Sequence, residues 1–86
     1  MREIEENVKR IFTNIFKLSK TKINNKSNYK NIKKWDSLNH VKLIMALESK
    51  FKISIDPDAA ITLLSYSDII NYLKKLISSS TNTKYL

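Results

Sequence analysis

The chain has 86 residues, 42% of them hydrophobic, with no Gly, no Cys, one Pro and a formal net charge of +8. That length holds one domain with one modest core, and the apolar share is too high for a disordered chain. The absence of Cys excludes a disulfide, a thiolate metal site and a cysteine nucleophile, and the apolar runs are too short to span a bilayer.

The first predicted element is a helix. Ile4, Val8, Ile11, Phe12, Ile15 and Phe16 recur at spacings of three and four and form one apolar stripe. Glu3, Glu5 and Glu6 fall in its first turn and Lys17 and Lys20 near its end, which suits the helix dipole. The stripe predicts an end near Leu18. The opening MREIEENVKR is charged and lacks the apolar stretch of a secretory signal, so a soluble, cytoplasmic protein is expected.

Residues 19–35 read as a loop rich in Asn and polar residues, and a loop of this length in a small domain is usually functional or well pinned. Ile23, Tyr29, Ile32 and Trp35 are the candidates to pin it. From Lys17 to Lys34 there are seven Lys and no acid, so its outer face is strongly positive.

The second helix is predicted to open at Asp36, a favourable N-cap worth about 1 kcal/mol over Ala. The stretch SLNHVKLIMALESKF contains neither Gly nor Pro. At about 100° per residue it carries two apolar stripes. Leu43, Ile44, Leu47 and Phe51 form the first, with His40 among them. Leu38, Val41 and Met45 form the second, which begins beside Ser37. One stripe is enough to dock a helix, so the second is the informative one. His40 reads as a partly buried residue hydrogen-bonded to backbone or loop, since no nucleophile or metal co-ligand accompanies it.

Ile53-Ser-Ile55 reads as extended or irregular. Asp56-Pro57 supplies a cap followed by Pro at the first helical position, and a short helix is expected over roughly Asp58 to Leu63. Ser65-Tyr-Ser-Asp68 fits a capping box with Asp in place of Glu. The last helix follows, with Ile69, Ile70, Leu73, Leu76 and Ile77 on one face. Residues 1–78 are expected to form a single domain and residues 79–86 a flexible C-terminal tail.

Two stretches resemble the acyl carrier protein family. The first is Trp35-Asp-Ser-Leu-Asn-His-Val-Lys-Leu-Ile-Met-Ala-Leu-Glu48, in which Asp-Ser-Leu opens the second helix. The second is Phe51-Lys-Ile-Ser-Ile-Asp-Pro-Asp58, running on to Leu64-Ser-Tyr-Ser-Asp-Ile-Ile-Asn-Tyr-Leu73, which is similar to the family's loop, short third helix and closing helix. The likeness is specific from Trp35 to Leu76 and is only a helix-plus-loop pattern before that. It implies an all-α, four-helix bundle with a long loop between helices 1 and 2 and a short third helix. It also implies a carrier and not an enzyme, with no catalytic residues and no metal site of its own. The covalent cofactor would be phosphopantetheine, drawn from coenzyme A and attached at Ser37. Asp36 gains a second role in recognition by the phosphopantetheinyl transferase and in holding that enzyme's metal. Leu38, Val41, Met45 and Glu48 become the surface on which the transferase and the acyl-loading and acyl-transfer enzymes dock, with the carrier itself a monomer.

The residues agree with that implication on physical grounds. A phosphodiester-linked arm needs an exposed hydroxyl, and a phosphate one residue past the Asp36 cap would sit at the positive end of a helix dipole, worth about 0.3–1 kcal/mol when exposed. The arm supplies the thiol that a Cys-free chain lacks. Charge is the main departure. Family members are typically acidic, whereas here Lys33, Lys34, Lys42, Lys50 and Lys52 surround the site against Asp36, Glu48, Asp56 and Asp58. That points to a specialised carrier for a dedicated lipid, polysaccharide or secondary-metabolite pathway. The competing reading is a small basic helical domain that binds nucleic acid. Against it, 14 of the 16 cations are Lys, and the loop is far longer than a helix-turn-helix turn. A third reading keeps the fold without the arm, as a structural subunit, and the intact Asp-Ser-Leu speaks against it.

Overall fold

The first two long helices of this chain form where apolar residues recur on one side and stop where the backbone turns left-handed. The computed structural model describes the backbone of residues 2–84 and the side chains of residues 3–77. Helix α1 spans Arg2–Phe16, α2 spans Ser37–Phe51, α3 spans Pro57–Ala60 and α4 spans Tyr66–Lys84. A 3₁₀ turn at Lys20–Lys22 interrupts the long first loop, and an isolated antiparallel bridge between Asn28 and Ser65 is the one extended pairing among the described residues. The expected all-α four-helix bundle, with a long first loop and a short third helix, is borne out.

Helix α1 lies against both α2 and α4 and supplies the centre of the core. Ile4, Val8, Phe12 and Phe16, each one turn from the last, are buried, while Ile11 and Ile15 flank them half-buried. Phe12 meets Phe16, Trp35 and Tyr66 edge-on at centroid distances of 5.3, 5.4 and 5.6 Å, and Phe16 stacks on Trp35 at 5.0 Å. Such pairs add about 0.5–1.5 kcal/mol each beyond their area. Burial pushes the Tyr66 phenol up to about 12, with the negative charges of Glu5 and Glu6 adding to it.

The first helix stops at Phe16, two residues short of expectation, because Lys17 takes a left-handed conformation with φ of 56°. The loop that follows is fastened at several points. Ile23, Ile32 and Trp35 are buried as predicted. Tyr29 is not: the residue is 44% exposed, and its backbone N–H does the fastening, donating to Leu64 O at 3.0 Å. Tyr66 N–H donates back to Ser27 O at 2.9 Å, so the loop is laced to the α3–α4 junction by main-chain bonds. The asparagines of the loop bond to nearby backbone. Asn24 Oδ1 accepts from Lys26 N, Asn28 Oδ1 from Lys30 N and Asn31 Oδ1 from Asn28 N, all within 2.9 Å. These side chains shape tight turns in a chain that has no Gly to do so. Lys20 reaches Glu6 at 2.9 Å and holds its carboxyl below the usual range, closing the loop's start onto α1.

The third helix is shorter than predicted and begins one residue earlier, at Pro57. Asp56 caps it by accepting from Asp58 N at 3.1 Å. It ends because the chain tightens: Thr62 N and Leu63 N donate three residues back, to Ala59 O and Ala60 O. Ser65 opens α4 as expected, its Oγ accepting from Asp68 N at 3.0 Å. The backbone of α4 continues to Lys84, into the stretch expected to be a tail; Tyr85 and Leu86 lie outside the described residues.

Candidate functional site around Ser37

Ser37 is the first residue of α2 and is exposed. Its position is set from behind. Asp36, the residue before it, is extended, and its carboxylate accepts from Asn39 N at 2.8 Å. The Asn39 side chain reaches back to Lys34 O at 2.7 Å, so the approach to the helix is held from both directions. Asp36 is therefore the cap, as predicted, and Ser37 the first helical residue. The Ser37 hydroxyl holds no hydrogen-bond partner among the described residues, although its neighbours do. A hydroxyl that is exposed and unspent at a helix N-terminus can accept a phosphate, with the dipole favouring the added charge.

Behind Ser37 three residues are linked in series. Trp35 Nε1 donates to His40 Nδ1 at 3.0 Å, and His40 Nε2 donates to Ala60 O at 2.8 Å. Since Nδ1 accepts, the imidazole is neutral and carries its proton on Nε2. The two rings also stack, 20° from parallel at 6.1 Å. The expectation of a hydrogen-bonded, half-buried His40 is borne out. Both ring nitrogens are occupied in joining the loop end, α2 and α3.

These contacts frame an open groove of about 540 Å³ beside Ser37. Trp35, His40 and Val41 form one wall, and Tyr29, Ile61 and Leu64 form the other. The second wall could not be predicted. Tyr29 and Leu64 are brought there by the backbone bond between them, which leaves no mark on hydrophobic periodicity. Ile61, 69% exposed just past α3, was the one available signal: an apolar residue left outside the core.

The second stripe of α2 is exposed as expected, with Leu38 at 65%, Val41 at 54% and Met45 at 62%. Glu48, grouped with them on the sequence, points elsewhere. Its Oε2 accepts from Ile55 N at 2.8 Å and its backbone oxygen accepts from Ile53 N, so it secures the α2–α3 connection and not the outward face. Leu43 and Leu47 are fully buried in the core that also holds Ile69 and Leu73 of α4. No group of three or more His, Cys, Asp or Glu able to hold a metal occurs among the described residues, and no described helix is long and apolar enough to cross a membrane.

No protein-family model matches the chain. It is similar to three curated proteins named acyl carrier protein, from Campylobacter curvus (strain 525.92), Campylobacter concisus (strain 13826) and Campylobacter fetus subsp. fetus (strain 82-40). Each is 49% identical over 41 residues, which is 48% of this chain and 53% of the relative. The chain thus spans about half the length of the curated relatives it matches. The resemblance to the acyl carrier protein family read from the sequence is borne out by these relatives over about half the chain.

Proposed function

We propose that this chain is a carrier protein, not an enzyme, and that it bears a phosphopantetheine arm on Ser37. The observation that supports this most is the placement of one alcohol: exposed, unpartnered, at the start of α2 and beside an open groove. The residues present fit the group. The positive end of α2 favours its phosphate, and the largely apolar walls of the groove suit its chain. When bound, the group supplies the thiol on which acyl, aminoacyl or hydroxyacyl groups are carried as thioesters.

The chain's own residues present and orient this point. Asp36 fixes the helix start, and Asn39 fixes the backbone leading into it. Trp35 and His40 hold the end of α3, the residue before the groove-lining Ile61. Leu38, Val41 and Met45 offer an apolar landing area next to the attachment point for the transferase and for acyl-loading and acyl-transfer enzymes. Asp36 is also the side chain placed to be read by the transferase. The excess of Lys around the site supports a dedicated pathway over bulk fatty acid synthesis. Rescue of a strain lacking its principal carrier would contradict that last point.

The test is direct. The chain is incubated with coenzyme A and a broad-specificity phosphopantetheinyl transferase, and intact masses are taken for wild type and Ser37→Ala. Transfer forms a phosphodiester at Ser37 Oγ and releases adenosine bisphosphate. The expected result is one arm's mass gained by wild type and none by the variant. No gain in either, with the transferase active on a control carrier, overturns the proposal.

A further inference from the structure

The outward face of α2 combines apolar side chains with a cation and no carboxylate. Leu38, Val41, Lys42 and Met45 share that face, Ser49 continues it, and all are exposed. The single acid of the helix, Glu48, is turned to the Ile55 N–H. The segment leading into the helix adds exposed Lys30, Lys33 and Lys34, with the Lys30 ammonium 5.9 Å over the Tyr29 ring at the groove's edge. Asp36 is spent as the cap of α2 and Asp56 as the cap of α3, which leaves Asp58 and Asp68 as the exposed acids outside α1. Ion pairing within the molecule does not relieve the surplus. The two ion pairs among the described residues, Lys20–Glu6 at 2.9 Å and Lys74–Glu5 at 3.4 Å, both use acids of α1 and leave the cations around α2 unpaired.

We infer that the enzymes served by this carrier dock on α2 through an acidic face, in which an apolar depression for Leu38, Val41 and Met45 is ringed by carboxylates that meet Lys34 and Lys42. The inference rests on the carrier reading of Ser37 and adds the partner's surface chemistry to it. Charge complementarity sets the sign, since a basic partner would meet like charge at the rim. The apolar triad sets the class. A phosphodiester backbone gains nothing from three exposed aliphatic side chains. A lipid surface could bury them, but it would also cover Ser37, the neighbour of Leu38, which has to stay open to enzymes. A protein surface can bury the triad and leave the groove accessible.

The test separates this inference from the reading beneath it. Loading of Ser37 is measured first by intact mass. The isotope-labelled chain, loaded or not, is then followed by amide NMR while a helical peptide with a Leu stripe bordered by Glu is added. The same peptide with Lys for Glu, phosphatidylglycerol vesicles and a DNA duplex are run in parallel. The Glu-bordered peptide is expected to shift the amides of Leu38, Val41, Lys42 and Met45 and to bind less tightly as salt rises. In the double variant Lys34→Glu/Lys42→Glu, its affinity is expected to drop about tenfold, with the Lys-bordered peptide now preferred. Circular dichroism confirms that the variant is folded. The inference is overturned if the acidic peptide shifts the 17–30 loop in place of α2, if it shifts nothing, or if vesicles or duplex take the α2 amides in preference. A chain that fails to load but binds the acidic peptide on α2 removes the carrier reading and leaves the surface chemistry standing.

Discussion

Helix α2 carries two stripes of the same kinds of residue with opposite fates. Leu43 and Leu47 are sealed in the core, on a helix that packs against α1, whereas Leu38, Val41 and Met45 stand in solvent a fraction of a turn away. The hydrophobic effect rewards burial only where a neighbour exists to bury against, so composition alone cannot tell the two apart. What distinguishes them is position relative to Ser37: the stripe that begins beside the alcohol is the one left open. Substitutions should therefore sort by stripe. Leu47→Ala is expected to cost about 2–5 kcal/mol in urea unfolding through lost contacts and a cavity. Met45→Ala and Leu38→Ala should stay within about 0.5 kcal/mol of wild type. Comparable losses in both stripes would mean that the outer one packs on something in the folded chain.

The next effect in size lies behind the site. Trp35→Phe keeps an aromatic ring against Phe12 and Phe16 but removes the N–H that His40 Nδ1 accepts. A partly buried acceptor left without its donor costs about 1–3 kcal/mol. Because His40 also holds Ala60, the loss should spread to α3, and faster amide exchange from Pro57 to Leu63 is the expected sign. If only the Trp35 and His40 signals change, the link between the loop end and α3 is not mechanical.

A smaller effect separates structure from recognition at the same residue. Asp36→Ala should cost about 1 kcal/mol as a lost cap, whereas Asp36→Asn, an equally good cap, should cost only a few tenths. On the carrier reading, both variants load phosphopantetheine more slowly than wild type, since Asn restores the cap and not the charge. Full loading rates for Asp36→Asn would reduce Asp36 to a capping residue.

Legibility in the sequence follows the same division. The three long helices, their core faces and the outward stripe could be read because each depends on local spacing. Asp36 and Ser37 could be placed by the capping pattern, and Ile23, Ile32 and Trp35 as apolar residues in a polar loop. The groove's second wall, the lacing of Ser27 and Tyr29 to the α3–α4 junction, and the capture of Glu48 by Ile55 could not. Each of these rests on a bond to a backbone group beyond the element itself, and backbone groups carry no residue-specific signal. Tyr66 was missed on similar grounds. It is buried by Phe12 of α1, far away in sequence, and by its own position beside the Ser27 bond.

The smallest effect concerns the ends of α1 and α2, where a chain without Gly has to turn left-handed. Lys17 and Lys52 both adopt φ of 56°. At Lys52 the conformation is what allows the helix to close: Ile53 N donates to Glu48 O, the outer bond of a Schellman ending, and Lys52 N donates to the same oxygen. A Cβ in this region is disfavoured, and Gly avoids that penalty, although it adds freedom to the unfolded chain. Lys52→Gly is therefore expected to stabilise the protein by about 0.5–1 kcal/mol, raising the midpoint of urea unfolding with an unchanged slope. The same change also removes a cation from the far end of α2. If docking of the acidic peptide depends on Lys34 and Lys42 beside Ser37 and not on total charge, Lys52→Gly should leave its affinity nearly unchanged while the fold becomes more stable. A loss of affinity as large as that of the Lys34→Glu/Lys42→Glu variant would show that the peptide reads the overall charge of the molecule and not this face of the helix.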